Sequence, residues 1–201
     1  MSTDLLAPAR SARDLVQPLC GVVDAIGDLP PREARLPALV GSVAQTGRLS
    51  VLYPVEAGLR GISWTDVVSK GYALDTTKTS SNTRALFEAF ERYASSVFVK
   101  DEVVTASQNE LGTAAMDLAL VPRCSDAEYS DPKCPLRPAD SSKPIRWVKA
   151  VAMSTGRECY VPLIMSHLYV RANKHEYFWN QISTGVAAHT DLKPALVSAS
   201  L

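Results

Sequence analysis

Glu88, Glu91 and Arg92 are the residues whose types and spacing most directly permit chemistry. They lie in Thr83-Arg84-Ala85-Leu86-Phe87-Glu88-Ala89-Phe90-Glu91-Arg92-Tyr93-Ala94-Ser95-Ser96-Val97-Phe98. At the helical step Leu86, Phe90, Tyr93 and Val97 line one arc, Phe87, Ala94 and Phe98 widen it, and the charged trio falls away from it. The pattern predicts a helix. Carboxylates three residues apart stand with their Cβ atoms about 5–6 Å apart, which is mildly repulsive unless a positive charge sits near them. Arg92, four residues from Glu88, supplies one in the form of an ion pair on a solvated face. A divalent cation would supply another, because Mg2+ takes hard oxygen ligands, commonly one or two carboxylates together with phosphate oxygens. The residue types alone leave both readings open.

The elements around this helix must position it. Residues 48–55 and 62–68 alternate apolar and polar side chains around Gly58 and Gly61, and predict two adjacent strands. The second delivers the chain to Ser69-Lys70-Gly71, where a glycine lets the backbone approach a ligand closely. Thr76, Thr77, Thr79, Ser80, Ser81, Asn82 and Thr83 then offer several helix caps. Upstream, residues 11–26 carry apolar positions at helical spacing interrupted by Pro18, which predicts a short helix pair, and 35–45 is a weaker helical candidate. Downstream, 107–120 predicts a second helix, and 122–144, with five prolines, a lid-like connection. Residues 145–153 and 157–164 alternate around Ser154-Thr155-Gly156 and predict a β-hairpin. Ser183-Thr184-Gly185 marks a turn ahead of a helix beginning at Asp191, and the N–H groups of such a turn can face an anion.

Several of these pieces resemble one family. Lys70-Gly71-Tyr72-Ala73-Leu74-Asp75 followed by Ala85-Leu86-Phe87-Glu88-Ala89-Phe90-Glu91-Arg92-Tyr93 resembles the Gly-Lys-Gly segment and the Glu-x-x-Glu-Arg helix of the YcaO superfamily. Arg123-Cys124-Ser125-Asp126-Ala127-Glu128-Tyr129 is similar to its acid-aromatic segment. Trp147, Thr155-Gly156 and Val161-Pro162 keep the order of its hairpin, and Ser183-Thr184-Gly185-Val186-Ala187-Ala188-His189 resembles its Ser-Asn-Gly-x-Ala-x-Gly turn. The chain departs from the pattern in having Arg84 where the family has serine, a longer spacing from Lys70 to Glu88, Thr184 for asparagine and His189 for the last glycine.

The resemblance covers about residues 47 to 201 and implies an α/β (α+β) fold with helices packed on a largely antiparallel or mixed sheet. On that basis 1–46 is an N-terminal helical segment and 47–201 the first half of a YcaO-like domain. It implies ATP and Mg2+ as cofactors, Glu88 and Glu91 as metal ligands, and Lys70, Arg92, Ser183, Thr184 and Gly185 as nucleotide-binding residues. In the family a peptide amide oxygen attacks the γ-phosphate after a side chain or sulfide has added to the amide carbon. Its departure as phosphate leaves an azoline, amidine or thioamide. The family's second Glu-x-x-Glu-Arg helix would begin one position beyond Leu201. The resemblance therefore implies one part of a split enzyme of peptide natural-product maturation, inert without a second half, whose partners are a precursor peptide and a second chain or a further copy. A non-catalytic subunit that holds the peptide or a catalytic partner is the alternative.

Composition bounds the rest. The chain has 201 residues, 46% hydrophobic and 21% charged, a length that supports a sizeable core. Twenty-one basic residues balance twenty-one acidic ones, so there is no net field for a nucleic acid backbone. No apolar run approaches a membrane span and the first ten residues do not read as a secretory signal, which points to the cytoplasm. The four cysteines, Cys20, Cys124, Cys134 and Cys159, contain no Cys-x-x-Cys pair. That usage suits a reducing compartment, with idle thiols or, less directly, Cys124 and Cys134 joining His167 or His175 around zinc.

Overall fold

Small side chains dominate the first part of the fold. In the computed structural model, which describes residues 12–18, 21–30, 39–47 and 69–201, three strands form an antiparallel meander: β1 (Val23–Asp28), β2 (Val40–Thr46) and β3 (Lys70–Asp75), in that order. β2 and β3 pair from Val40 opposite Asp75 to Gln45 opposite Lys70. A 3-10 turn, Ala12–Leu15, precedes them. The expected helix pair over 11–26 is thus replaced by this turn and β1, and the described part of the 35–45 candidate is strand β2. What makes them strands is pairing with partners distant in sequence, which local periodicity does not report. The strands expected at 48–55 and 62–68 lie outside the described residues.

Helix α1 (Lys78–Ala94) packs on this sheet. It starts five residues before the expected position because Thr77 caps it: its Oγ1 accepts from Ser80 N at 3.2 Å and its carbonyl from Ser81 N. Ser81, Ala85, Leu86 and Ala89 are its buried residues, and they share a core with Val23, Ala44 and Ala73, with Phe90 packed at the margin. The stripe expected from the sequence is Leu86, Phe90, Tyr93 and Val97; of these Leu86 is buried, and the contact with β1–β3 is completed by the smaller Ser81, Ala85 and Ala89 one step round the helix. Small side chains on both surfaces let the helix and sheet backbones approach closely, and Val97 lies beyond the helix end. Residues 183–201 belong to the same compact unit and end in α5 (Leu192–Ser200), which starts one residue after the expected position, with Asp191 as its cap.

Residues 95–182 make a second unit with its own sheet and core. β4 (Val104–Ala106), β5 (Ile145–Val151) and β6 (Glu158–Pro162) are antiparallel, and β5 and β6 form the expected hairpin, with Gly156 in the left-handed region at φ 68°. Trp147 is fully buried and its indole N–H donates to Ala106 O at 2.8 Å, so the large ring costs no unpaired donor. Ile145, Leu163, Ile164, Leu118, Val121, Val170 and Phe178 complete this core. Burying a side chain of this size contributes about 1.5–3 kcal/mol. The helix expected over 107–120 is broken into α2 (Gln108–Leu111) and two 3-10 turns, because Gly112 takes φ 57° at the end of α2 and Ala115 is extended. The proline-rich connection holds a five-residue helix, α3 (Asp126–Ser130), closed by a capping box between Ser125 and Glu128. A further four-residue helix, α4 (Leu163–Ser166), follows β6.

Candidate functional site

α1 carries Glu88, Glu91 and Arg92 side by side, each partly buried. Glu88 reaches round β3: its Oε2 accepts from the backbone N–H of Tyr72 at 2.8 Å, and its Oε1 from Arg92 Nη2 at 3.4 Å. β3 is the last strand of its sheet among the described residues, so this carboxylate occupies a donor on the strand edge. Burial raises the Glu91 carboxyl above its ordinary range, the Arg92 charge lowers it, and the Glu88 charge raises it again. The three side chains form one electrostatic unit.

The helix can lie this close because residue 71 is glycine. A Cβ there would overlap Ala85 O and Ala89 N of α1. Gly71 is expected from the sequence to lie where a ligand comes near; what comes near is the helix backbone. Lys70 and Tyr72 alternate with Gly71, so their side chains stand on the opposite face of β3 from α1, and both are exposed. Lys70 is therefore not brought beside the two glutamates.

Ser183, Thr184 and Gly185 form a turn closed by Val186 N donating to Ser183 O at 3.1 Å, with Gly185 at φ 90° and Thr184 exposed. The segment comes alongside α1 through His189, whose ring stacks on Phe87 at 6.2 Å between centroids, one residue from Glu88. His189 Nδ1 accepts from Asp191 N, which orients the ring and joins the turn to the start of α5. The stack and the Tyr72 bond are the parts of the site that sequence reasoning missed. Both join positions remote in sequence, and no local signal marks them.

The donor set fits a hard cation in part. Two carboxylates on adjoining turns match what Mg2+ takes from protein, and Tyr72 N–H fixes Glu88 while leaving lone pairs on both its oxygens. No cluster of three or more His, Cys, Asp or Glu exists among the described residues, so the zinc reading for Cys124 and Cys134 with a histidine is not supported by the fold.

The model of the YcaO cyclodehydratase family, described as ATP- and Mg2+-binding, matches residues 74–201. The chain belongs to the YcaO family. Among solved structures, a heterocyclase in complex with substrate and cofactor is 23% identical with a TM-score of 0.69, covering 94% of this YcaO chain and 25% of its own. YcaO from Methanopyrus kandleri, bound with AMPPCP and Mg2+, is 12% identical with a TM-score of 0.53, over 94% of this chain and 37% of that one. The heterocyclase TruD is 24% identical with a TM-score of 0.52, over 59% and 19%. These likenesses establish the α/β fold. The chain spans about a quarter of the length of the first heterocyclase. No curated protein matches it in sequence. Among the described residues no helix is long and apolar enough to cross a membrane.

Proposed function

We propose that this YcaO chain supplies one carboxylate pair of an ATP- and Mg2+-dependent enzyme that activates backbone amides of a ribosomally made peptide, the rest of the active site coming from further polypeptide. The observation that carries the reading is the arrangement of Glu88, Glu91 and Arg92 on α1, with Glu88 tethered to Tyr72 N–H. The family assignment and the AMPPCP and Mg2+ bound to the Methanopyrus kandleri relative support it.

In this reading Glu88 and Glu91 hold Mg2+, and the Tyr72 N–H keeps Glu88 in the ligating rotamer. Arg92, paired with Glu88, offsets the Glu88–Glu91 repulsion and would supply positive charge to the phosphate oxygens of a bound nucleotide. Ser183, Thr184 and Gly185 would contact the nucleotide, and Lys70, on the far face of β3, would not. When bound, the nucleotide supplies a phosphoryl group that makes the amide oxygen a leaving group. Phosphoryl transfer depends on positioning and charge neutralisation, so one carboxylate pair without the remaining polypeptide gives little turnover. The product class, azoline, thioamide or amidine, follows from the nucleophile that the complete enzyme admits.

The test is calorimetric titration of a non-hydrolysable ATP analogue into the chain with and without Mg2+. Binding that requires Mg2+ and weakens tenfold or more in Glu88→Gln and in Glu91→Gln is expected. Affinity indifferent to both substitutions overturns the assignment.

A further inference from the structure

Gln108, Asp117, Leu118, Arg123, Tyr129 and Phe178 line, among others, a cavity of about 240 Å3 within the 95–182 unit. Leu118 and Phe178 are buried and give it an apolar wall. Its polar groups are arranged by the turns around it. Asp117 caps the 3-10 turn Leu118–Leu120 with one oxygen only: Oδ1 accepts from Ala119 N at 3.0 Å and from Gln108 Nε2 at 3.2 Å. Gln108 is itself held, its Oε1 accepting from Leu118 N at 3.0 Å. Capping therefore accounts for Oδ1 and fixes the rotamer, and Oδ2 keeps its lone pairs for another donor. The two donors, the Ala119 N–H first, hold the carboxyl below its ordinary range, so it is an anion at neutral pH.

Arg123 brings the opposite charge to the same cavity. Among the described residues neither Asp117 nor Arg123 has an ion-pair partner, the other included. Two opposite charges that line one cavity and leave each other unneutralised suit a small guest that carries both. The Tyr129 hydroxyl accepts from Cys124 N at 3.2 Å through its oxygen, so its proton remains to be donated, and Cys124 adjoins Arg123. A guanidinium and a phenol hydroxyl together bind a carboxylate, and a carboxylate oxygen such as Asp117 Oδ2 binds an ammonium. Size narrows the guest further. Pockets for drug-sized ligands enclose roughly 300–1,000 Å3, so 240 Å3 admits a molecule of about one residue.

We propose that this cavity binds a free α-amino acid with an apolar side chain, its carboxylate on Arg123 and the Tyr129 hydroxyl, its ammonium on Asp117 Oδ2, and its side chain against Leu118 and Phe178. The inference does not rest on the reading of α1, since all of these residues belong to the 95–182 unit. Each end of a peptide carries one of the two charges beside a side chain. N-acetyl-L-leucine reproduces the carboxylate end and L-leucinamide the ammonium end, so the two compounds separate a free amino acid from a peptide terminus.

The experiment is titration of the isotope-labelled full chain with L-leucine and with L-phenylalanine, followed by amide chemical shifts, beside glycine, N-acetyl-L-leucine and L-leucinamide. The expected result is saturable one-to-one binding of L-leucine or L-phenylalanine that moves the amides of Asp117, Leu118, Arg123, Tyr129 and Phe178, with each of the three control compounds at least tenfold weaker. Arg123→Gln and Asp117→Asn should each weaken that binding at least tenfold. Asparagine keeps the capping oxygen and Arg123 is exposed, so both variants should keep the wild-type circular dichroism. No saturable shift with either amino acid at millimolar concentration, or shifts confined to other residues, would overturn the proposal. So would equal binding of N-acetyl-L-leucine or L-leucinamide, or an affinity indifferent to Arg123→Gln or to Asp117→Asn.

Discussion

Glu88 and Tyr72 are joined across the edge of β3: the carboxylate Oε2 of one accepts the backbone N–H of the other at 2.8 Å. A helix side chain here does what a further strand would do, and a candidate metal ligand is held in one orientation by a backbone group. Ligands fixed in this way by a neighbouring donor lose roughly 10–100-fold in affinity or activity when that donor is removed. Tyr72→Pro removes it. Proline is tolerated where a strand's N–H points away from its partner, so Mg2+-dependent turnover should fall at least tenfold while the thermal midpoint drops little. A variant that melts normally and turns over normally would detach the Tyr72 bond from function.

Gly71 is the position where the fold has least room. A methyl group there meets Ala85 O and Ala89 N, main-chain atoms of α1 that no rotamer change can move. Gly71→Ala should cost about 3 kcal/mol, the upper end for overpacking, and lower Tm by roughly 6–12 °C for a chain of this size. Differential scanning calorimetry reads it, and a shift under two degrees would mean the helix stands farther from β3.

Glu91 gives a pH signature. Burial, with Glu88 adding to it, raises its folded pKa above the unfolded value, so the ionised form is the disfavoured one in the native state. The cost is absent below the unfolded carboxyl range, grows as pH rises through that range, and is complete above the raised folded pKa. Glu91→Gln should therefore raise Tm at neutral pH and change it little at strongly acid pH. A stabilisation that persists unchanged at acid pH would point to a cause other than this charge.

In the 95–182 unit the fully buried Glu176 accepts from Arg146 N, Arg146 Nε and Nη2, and Asn173 N. Removing one member of such a pair strands the other charge, at about 3–5 kcal/mol. Arg146 keeps some access to water, so Glu176→Ala should sit near the lower end, about 3 kcal/mol in a urea unfolding curve. A loss below 1 kcal/mol would show that water replaces the carboxylate.

How much of this was legible in the sequence depends on how local each cause is. The β5–β6 hairpin carries its own alternation and its own Gly156 turn, so it is read directly, and the helix expected from Asp191 starts one residue later. Glu88, Glu91 and Arg92 are likewise set beside one another by helical spacing alone. β1 and β2 are not read, because Gly27, Gly41, Ser42 and Ala44 carry little strand preference and are held by partners up to dozens of residues away. The packed face of α1 differs from the expected stripe for a related reason: periodicity points to the largest side chains, whereas Ser81, Ala85 and Ala89 are chosen by the close approach that Gly71 and Ala73 permit. The tether from Tyr72 to Glu88 and the stack of His189 on Phe87 depend on that tertiary placement.

The central claim is that Glu88 and Glu91 serve a nucleotide-bound cation and are tolerated at some expense to the fold. The direct measurement is ATP consumption and peptide mass change by the complete enzyme containing this chain as wild type or as Glu88→Gln, Glu91→Gln, each beside its thermal melt. The account predicts a double variant that melts at or above the wild-type temperature and has lost at least a hundredfold in Mg2+-dependent turnover. Full turnover by that variant, with or without a change in Tm, would contradict it.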